Sequence, residues 1–491
     1  MNSQLSEKLV HSDHKVIFSD QSINKVVHDN KLCRLDITTE SLICTEEDNN
    51  RRVCCINICD IIGCREEELT KETAHPFKFK RIEVYSYPRP HASGGGIAAM
   101  FTSSKRRRRV HTFTVLNATV CASMINVIRS VAQGSALTRL GNGSYASPPP
   151  LKYLVFINPV GGTGRALQVW HKESKHLFEE ATIDCDVVVT ERADHAKDEC
   201  TSRDLSGYSG IVIVGGDGLI FEVVSGISCR PGGGRDVFRR LPLIPIPGGS
   251  GNGLIKSITF ESGEECSATT AAFIAIKGTS TPLDMSKVTT STKEYSSFLL
   301  FGWGLISDAD ILSESMRWMG EPRFSVAGAY FLLKRHLYRG RLSLLLCGAG
   351  STTPSLSSLP PLDQPLDLQS HNWKVIEDDF VMLWVGQTSH CSTSMYSSPG
   401  STLSDGIFTI LVVRSNLSRW DMAMMLLSLD SSGNHFKHPK AEIYQATAYR
   451  LEPFCPEGIY TLDGEQIDYG PMQAIIQPQS VNCLNVLTIP Q

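Results

Sequence analysis

Asp217 sits inside the run IVIVGGDGLIFEVVSGI, residues 211–227, flanked by Gly215, Gly216 and Gly218. A glycine turn between a strand and a helix start lets backbone N–H groups approach phosphate, and the helix dipole favours an anion there. A carboxylate among such amides is repelled by the bound phosphate unless it serves a metal or takes a proton. On this segment alone both roles stay open. Two further turns have the same character, NPVGGTGR at 158–165 and PGGSGNG at 247–253, and Thr190 and Glu191 end another apolar run between them. One glycine turn is common in unrelated sheets. Three in phase with the strands describe a nucleotide phosphate site. None is a Walker A sequence or a protein-kinase glycine loop.

The elements that must hold these turns follow from the apolar pattern. YLVFINP, CDVVVT, GIVIVGGDG and LPLIPIPGG are apolar runs that each end in a turn, with helix-like segments between them. They predict an α/β fold with a Rossmann-like parallel sheet, ligand binding beyond the carboxyl ends of its strands. The pattern fades near Pro282, so an α/β nucleotide-binding catalytic domain is expected over 151–283. Beyond it, β-like runs at 298–302, 380–385, 407–413 and 442–449 predict a second domain, an antiparallel β-sandwich, over 284–491. Within it, Ser/Pro/Leu-rich residues 348–375 are expected to form a disordered insertion. Upstream of both, β-like runs at 32–37, 52–58, 77–87 and 111–116, then a helical pattern at 120–132, predict a PH-like β module over 30–133. A flexible N-terminus, 1–29, precedes it and a linker, 134–150, follows it.

At 491 residues the chain exceeds a single core. With 20% charged residues and a net charge of −4, nothing draws the whole chain to nucleic acid, and no such partner is expected. No apolar run reaches the roughly 18–20 residues of a membrane span. The first residues lack the apolar core of a secretory signal, and Glu7 and Asp13 argue against a mitochondrial presequence. The 15 cysteines therefore read as reduced thiols and the expected location is cytoplasmic. Cys54, Cys55, Cys59 and Cys64 lack paired CxxC spacing and read as core residues of the β module.

The order NPxGGxG, GGDGxxxEVVxG, PxGSGN resembles the diacylglycerol-kinase catalytic domain family, which includes the sphingosine and ceramide lipid kinases. GWGLISDADILSESMRWMGEPRF (302–324), YRGRLSLL (338–345), AYRLEP (448–453) and TLDGEQID (461–468) are similar to segments of sphingosine kinases. The resemblance implies an ATP- and Mg²⁺-dependent kinase that phosphorylates the primary hydroxyl of sphingoid bases to give sphingosine 1-phosphate. Asp217 would be the general base. Asn158, Pro159, Val160, Thr190, Glu191, Gly215, Gly216, Gly218, Glu222, Gly249, Ser250 and Gly251 would hold ATP. Arg317 and Arg323 would contact its phosphates, and Asp463, Gly464 and Glu465 would return to the nucleotide from the C-terminal domain. Asp310, or as second choice Asp308, would pair with the sphingoid ammonium. Metal ligands are not assigned. The chain departs from the family where Val160 and Thr163 replace residues often basic, and where Gly215 replaces a serine of some members.

A lipid acceptor needs an apolar tunnel, and Leu305, Ile306, Phe324, Val326, Phe331, Leu332 and Leu333 are candidates beside the acid pair. Helix capping by Asp308 and Asp310 is the plainer alternative for those acids. The basic run KRRRR, 105–109, suits peripheral contact with an anionic membrane. Ceramide or diacylglycerol as acceptor, and a catalytically silent lipid-binding scaffold, are the competing readings. Self-association into a homodimer stays open.

Overall fold

The structure is a computed structural model. It describes residues 16–18, 25–67, 80–90, 105–116, 118–314, 316, 326–328, 330, 334, 336–347, 359–369, 372–428 and 432–486. The chain forms two compact units, Met1–Leu151 with Leu177–Asp184, and Lys152–His176 with Cys185–Gln491.

The first unit is an antiparallel sheet in the order Arg52–Asn57, Ser41–Glu46, Lys31–Thr38, Lys25–His28, Arg109–Val115, Lys80–Ser86, Ile61–Glu66. The helix Ala118–Ala132 follows. Its Cys121, Met124, Val127 and Ile128 bury one stripe against Val26, Leu35, Ile37, Val84 and Phe113 from alternate strand positions. A meander closed by one C-terminal helix is the layout expected of a PH-like module. The pattern reading missed Lys25–His28, Ser41–Glu46 and Ile61–Glu66, which are short and whose inward positions include Cys44 and Cys64 as well as aliphatics.

Two expectations about this unit need correction. Of the four clustered cysteines only Cys64 is in the core; Cys54 is half-buried, and Cys55 and Cys59 are exposed. The basic run is not a five-charge patch either. Arg106 is buried, donating to Asp60 Oδ1 at 3.0 Å and to the Tyr87 carbonyl at 2.6 Å. Arg108 pairs with Glu180 at 2.6 Å and lies over the Tyr85 ring. Two of its charges are thus neutralised by the fold.

In the second unit Asp184–Val189, Lys152–Ile157, Gly210–Gly215 and Leu243–Pro247 lie side by side, and Gly210–Gly215 runs parallel to both Lys152–Ile157 and Leu243–Pro247. Every residue of 211–214 is buried, as strands covered on both faces require. The sheet does not stop where the sequence pattern fades. The last strand, Met472–Asn485, runs parallel to Leu243–Pro247 at the pair Leu243–Cys483 and antiparallel to Thr279–Thr290 and Glu442–Pro453. Tyr338–Leu346, Trp373–Gly386, Leu300–Gly304 and Tyr460–Leu462 continue it, and Phe408–Arg414 pairs with both Trp373–Gly386 and Glu442–Pro453. One sheet therefore carries the phosphate-type turns and the β-rich half.

The segment expected to be a disordered insertion is in part pinned. Arg450, 3% exposed, donates to the carbonyls of Pro360, Pro361 and Gln364 and to Gln473 Oε1. Gln473 Nε2 donates to the Pro360 carbonyl at 3.0 Å. Proline-rich backbone has free carbonyls, and a buried guanidinium needs acceptors, so each satisfies the other. Residues 372–375 belong to or adjoin the strand Trp373–Gly386, while 348–358 and 370–371 lie outside the described residues.

Candidate active site

The three glycine turns meet at the carboxyl ends of the parallel strands. In the first, Asn158 Oδ1 accepts the N–H groups of Val160 at 3.1 Å and Gly161 at 2.9 Å, an Asx turn that folds the loop back on itself. Gly162 has φ +57°, and a Cβ there would stand 2.6 Å from the Ser250 nitrogen. In the third, a Cβ on Gly249 would stand 2.4 Å from the Gly216 Cα. Side chains are excluded because backbone packs on backbone, which leaves the amides of all three turns close together. Asn252, at φ +61°, clasps the third turn, accepting from Gly249 N at 3.1 Å and donating to Gly249 O at 2.8 Å.

Asp217 begins the helix Asp217–Ser228, and Gly216 is its N-cap. Its side chain crosses to a second helix, Gly253–Glu261, where Oδ2 accepts from Gly253 N at 2.7 Å and Oδ1 from Leu254 N at 3.2 Å. Burial pushes its pKa up, and these amides pull it back. A carboxylate held by first-turn amides but kept from bulk water suits a proton acceptor. Glu465 arrives from the hairpin Tyr460–Leu462 and Glu465–Ile467, since a Cβ on Gly218 would lie 2.7 Å from Glu465 Oε1. The resemblance had sent this element back to the nucleotide turns, and Glu465 goes there.

Asp463 does not. Its carboxylate is 2% exposed and accepts from Ser297 Oγ and the amides of Phe298, Leu299 and Leu300, so it anchors a strand start instead of facing ligand. Gly464, with φ +88°, turns the chain between the two acids. Glu222 is likewise committed, capping the helix His195–Ser202 through Ala196 N at 3.2 Å; burial raises its pKa. Thr190 is buried with Oγ1 directed to the Ile157 carbonyl, and Glu191, exposed, donates its N–H to His195 Nδ1. Val160 is 83% exposed beside Pro159. Ser250 is exposed, and Gly251 passes 3.1 Å, measured from its would-be Cβ, from Asp217 Oδ2. Arg317, Arg323, Phe324 and Leu332 lie outside the described residues, as do Phe331 and Leu333.

The acid pair of the helix Leu305–Glu314 divides by environment. Asp308 is buried, and Tyr338 Oη donates to its Oδ2. Burial raises its pKa against that hydrogen bond and the positive field of His336 and Lys334. Asp310 is half-buried. Burial pushes the Cys391 thiol up to about 12, and the charges of Asp310 and Asp217 push the same way. Both carboxylates therefore lie within electrostatic range of the loop that carries Cys391. That loop is tied to the third turn by Thr393 N to Gly251 O at 3.0 Å and by the pairing of Asn252 with Ser392.

Beside this helix lies an apolar cluster with a small cavity among Leu305, Val381, Met382, Val413, Leu417, Met422 and Met425, with Ile306 at its border. Of the expected tunnel residues Leu305 and Ile306 reach it, whereas Val326 is 44% exposed. The sheet and helix residues of this cluster escaped the sequence reading because alternating apolar positions on strands look like ordinary core. Asn252 stood in a noted motif, but its clasp was not foreseen.

A parallel sheet with glycine turns joined to a β-rich half that returns an acid to them defines a kinase of the diacylglycerol-kinase catalytic class: residues 152–288 match the diacylglycerol kinase catalytic domain, and 357–486 the YegS C-terminal NAD kinase beta sandwich-like domain. Sphingosine kinase 1 of Arabidopsis thaliana is 34% identical over 65% of this chain and 69% of its own length. Sphingosine kinase 1 of Homo sapiens is 32% identical over 67% of this chain and 90% of its own, and sphingoid long chain base kinase 4 of Schizosaccharomyces pombe 29% over 67% and 73%. The chain belongs to the sphingosine kinase family. Membership in a kinase family makes ATP the co-substrate.

Proposed function

We propose that the protein transfers the γ-phosphoryl group of ATP to the primary hydroxyl of a sphingoid base, giving sphingosine 1-phosphate and ADP. The observation that carries this is the placement of the Asp217 carboxylate among the three glycine turns, held by the Gly253 and Leu254 amides. In this reading Asp217 takes the hydroxyl proton as the oxygen bonds to the γ-phosphorus and the bond to the β-phosphate oxygen breaks. A base so placed contributes about 10²–10⁴-fold. The amides of Gly162, Gly216, Gly218, Ser250 and Gly251 cradle the phosphates, with Arg317 and Arg323 adding charge. Asp310 pairs with the ammonium, a charge that ceramide and diacylglycerol lack, and the tail enters the apolar cluster at Leu305 and Met422. Mg²⁺ binds through one or two carboxylates plus substrate phosphates, and the exposed Glu465 beside Gly218 fits that donor set. When bound, the ion would neutralise phosphate charge.

Radiolabelled ATP offered with sphingosine, ceramide and diacylglycerol, wild type against Asp217→Asn, tests the proposal. Label is expected in sphingosine 1-phosphate alone and only with wild type. Labelling of ceramide or diacylglycerol in preference would replace the acceptor, and ADP-dependent thermal stabilisation with no turnover would make the protein a silent binder. No helix of the described residues is long and apolar enough to cross a membrane.

A further inference from the structure

The helix Arg419–Leu427 has two apolar faces. Met422 and Met425 are buried against Leu417, Val413 and Met382, walling the apolar cluster. Trp420, Met424 and Leu427 fall at i, i+4 and i+7, on one side of the helix, and are 73%, 44% and 76% exposed. An exposed apolar stripe that includes a tryptophan marks a binding face.

We propose that this face docks the protein on a phospholipid bilayer, with Trp420 and Leu427 entering the interface above the lipid-tail cluster. The proposal rests on the sphingoid-base reading, under which the acceptor is itself drawn from a bilayer. Two features favour a bilayer over a protein partner. The helix is the wall between its exposed stripe and the cluster, so a membrane lying on it brings substrate tails to the place that receives them. Its flank is also cationic. Arg419 next to Trp420 is exposed, as is Lys437 on the turn tied to the helix end through His435 and Ser428. The one acid of the helix, Asp421, is taken by Lys440 at 2.7 Å and by Ser418. Interfacial tryptophan with flanking basic residues is the composition of surface-bound amphipathic helices.

Flotation with vesicles of phosphatidylcholine and a minor share of phosphatidylserine tests this on the full chain. Wild type is expected to float, and the double variant Trp420→Ser, Leu427→Ser to bind at least about tenfold more weakly. Trp420→Tyr, which keeps an interfacial aromatic, should retain most of the binding. Phosphorylation of sphingosine presented in vesicles should fall in step, while sphingosine in detergent micelles is turned over at the wild-type rate. Failure of wild type to float, equal flotation of the double variant, or light scattering that shows the substitutions splitting a dimer would each overturn the proposal. A wild type that floats yet leaves micellar sphingosine unphosphorylated refutes the sphingoid-base reading and leaves the docking face standing.

Discussion

Gly253 donates its backbone N–H to Asp217 Oδ2 at 2.7 Å, joining the start of one helix to the start of another 36 positions on. This contact fixes where the carboxylate points and keeps its charged form within reach despite burial. Asp217→Asn places an amide where the Gly253 and Leu254 amides need acceptors and, on the proposed function, removes the proton acceptor. Turnover is expected to fall by about 10²–10⁴-fold with the fold retained, read by steady-state kinetics and circular dichroism. Because burial raises the Asp217 pKa, the acid limb of kcat/KM should lie above the ordinary aspartate range, activity being lost as pH falls and the carboxylate takes its proton.

Gly249→Ala forces a Cβ to within 2.4 Å of the Gly216 Cα, where only backbone can give way. A destabilisation of about 1–3 kcal/mol is expected, measurable by urea unfolding. The stabilisation that ADP gives the wild type should be lost as well, because the first and third turns no longer close on the second.

Asp308 and Asp310 should separate cleanly. Asp308→Ala leaves the buried Tyr338 hydroxyl without its acceptor and should cost about 1–3 kcal/mol of stability. Asp310→Ala should leave the unfolding midpoint near wild type and raise the KM for sphingosine far more than that for ATP. The opposite pattern would exchange their roles.

Asp463 makes stability depend on pH. Burial sets its pKa at about 6 against the ordinary 3.8, so the native state holds a proton that the unfolded chain releases. Its contribution is full below about pH 4 and lost as pH rises through about 6, on the order of 2–3 kcal/mol. Asp463→Asn should flatten that part of the slope in urea unfolding curves taken at a series of pH values.

The glycine turns, Asp217 and the α/β alternation were legible in the sequence because each is a local pattern. Four apolar runs ending in glycine specify a covered parallel sheet, and residues 211–218 place their acid at its carboxyl edge whatever surrounds them. What lies between residues distant along the chain was not legible. Asp463 and Glu465 are two positions apart in one turn, yet one anchors residues 297–300 and the other meets Gly218, a difference set by which way each side chain leaves a hairpin. The cluster around Met382, Val413 and Met422, the clasp of Arg450 on the Pro360 segment, and the strand Met472–Asn485 that continues the sheet are pairings across tens to hundreds of residues. The sequence by itself determined that Asp217 stands among glycine turns at a strand's carboxyl end. Which acid turns toward Gly218, and what covers the apolar cluster at Leu305, was decided only when burial and hydrogen-bond satisfaction were settled together in the folded chain.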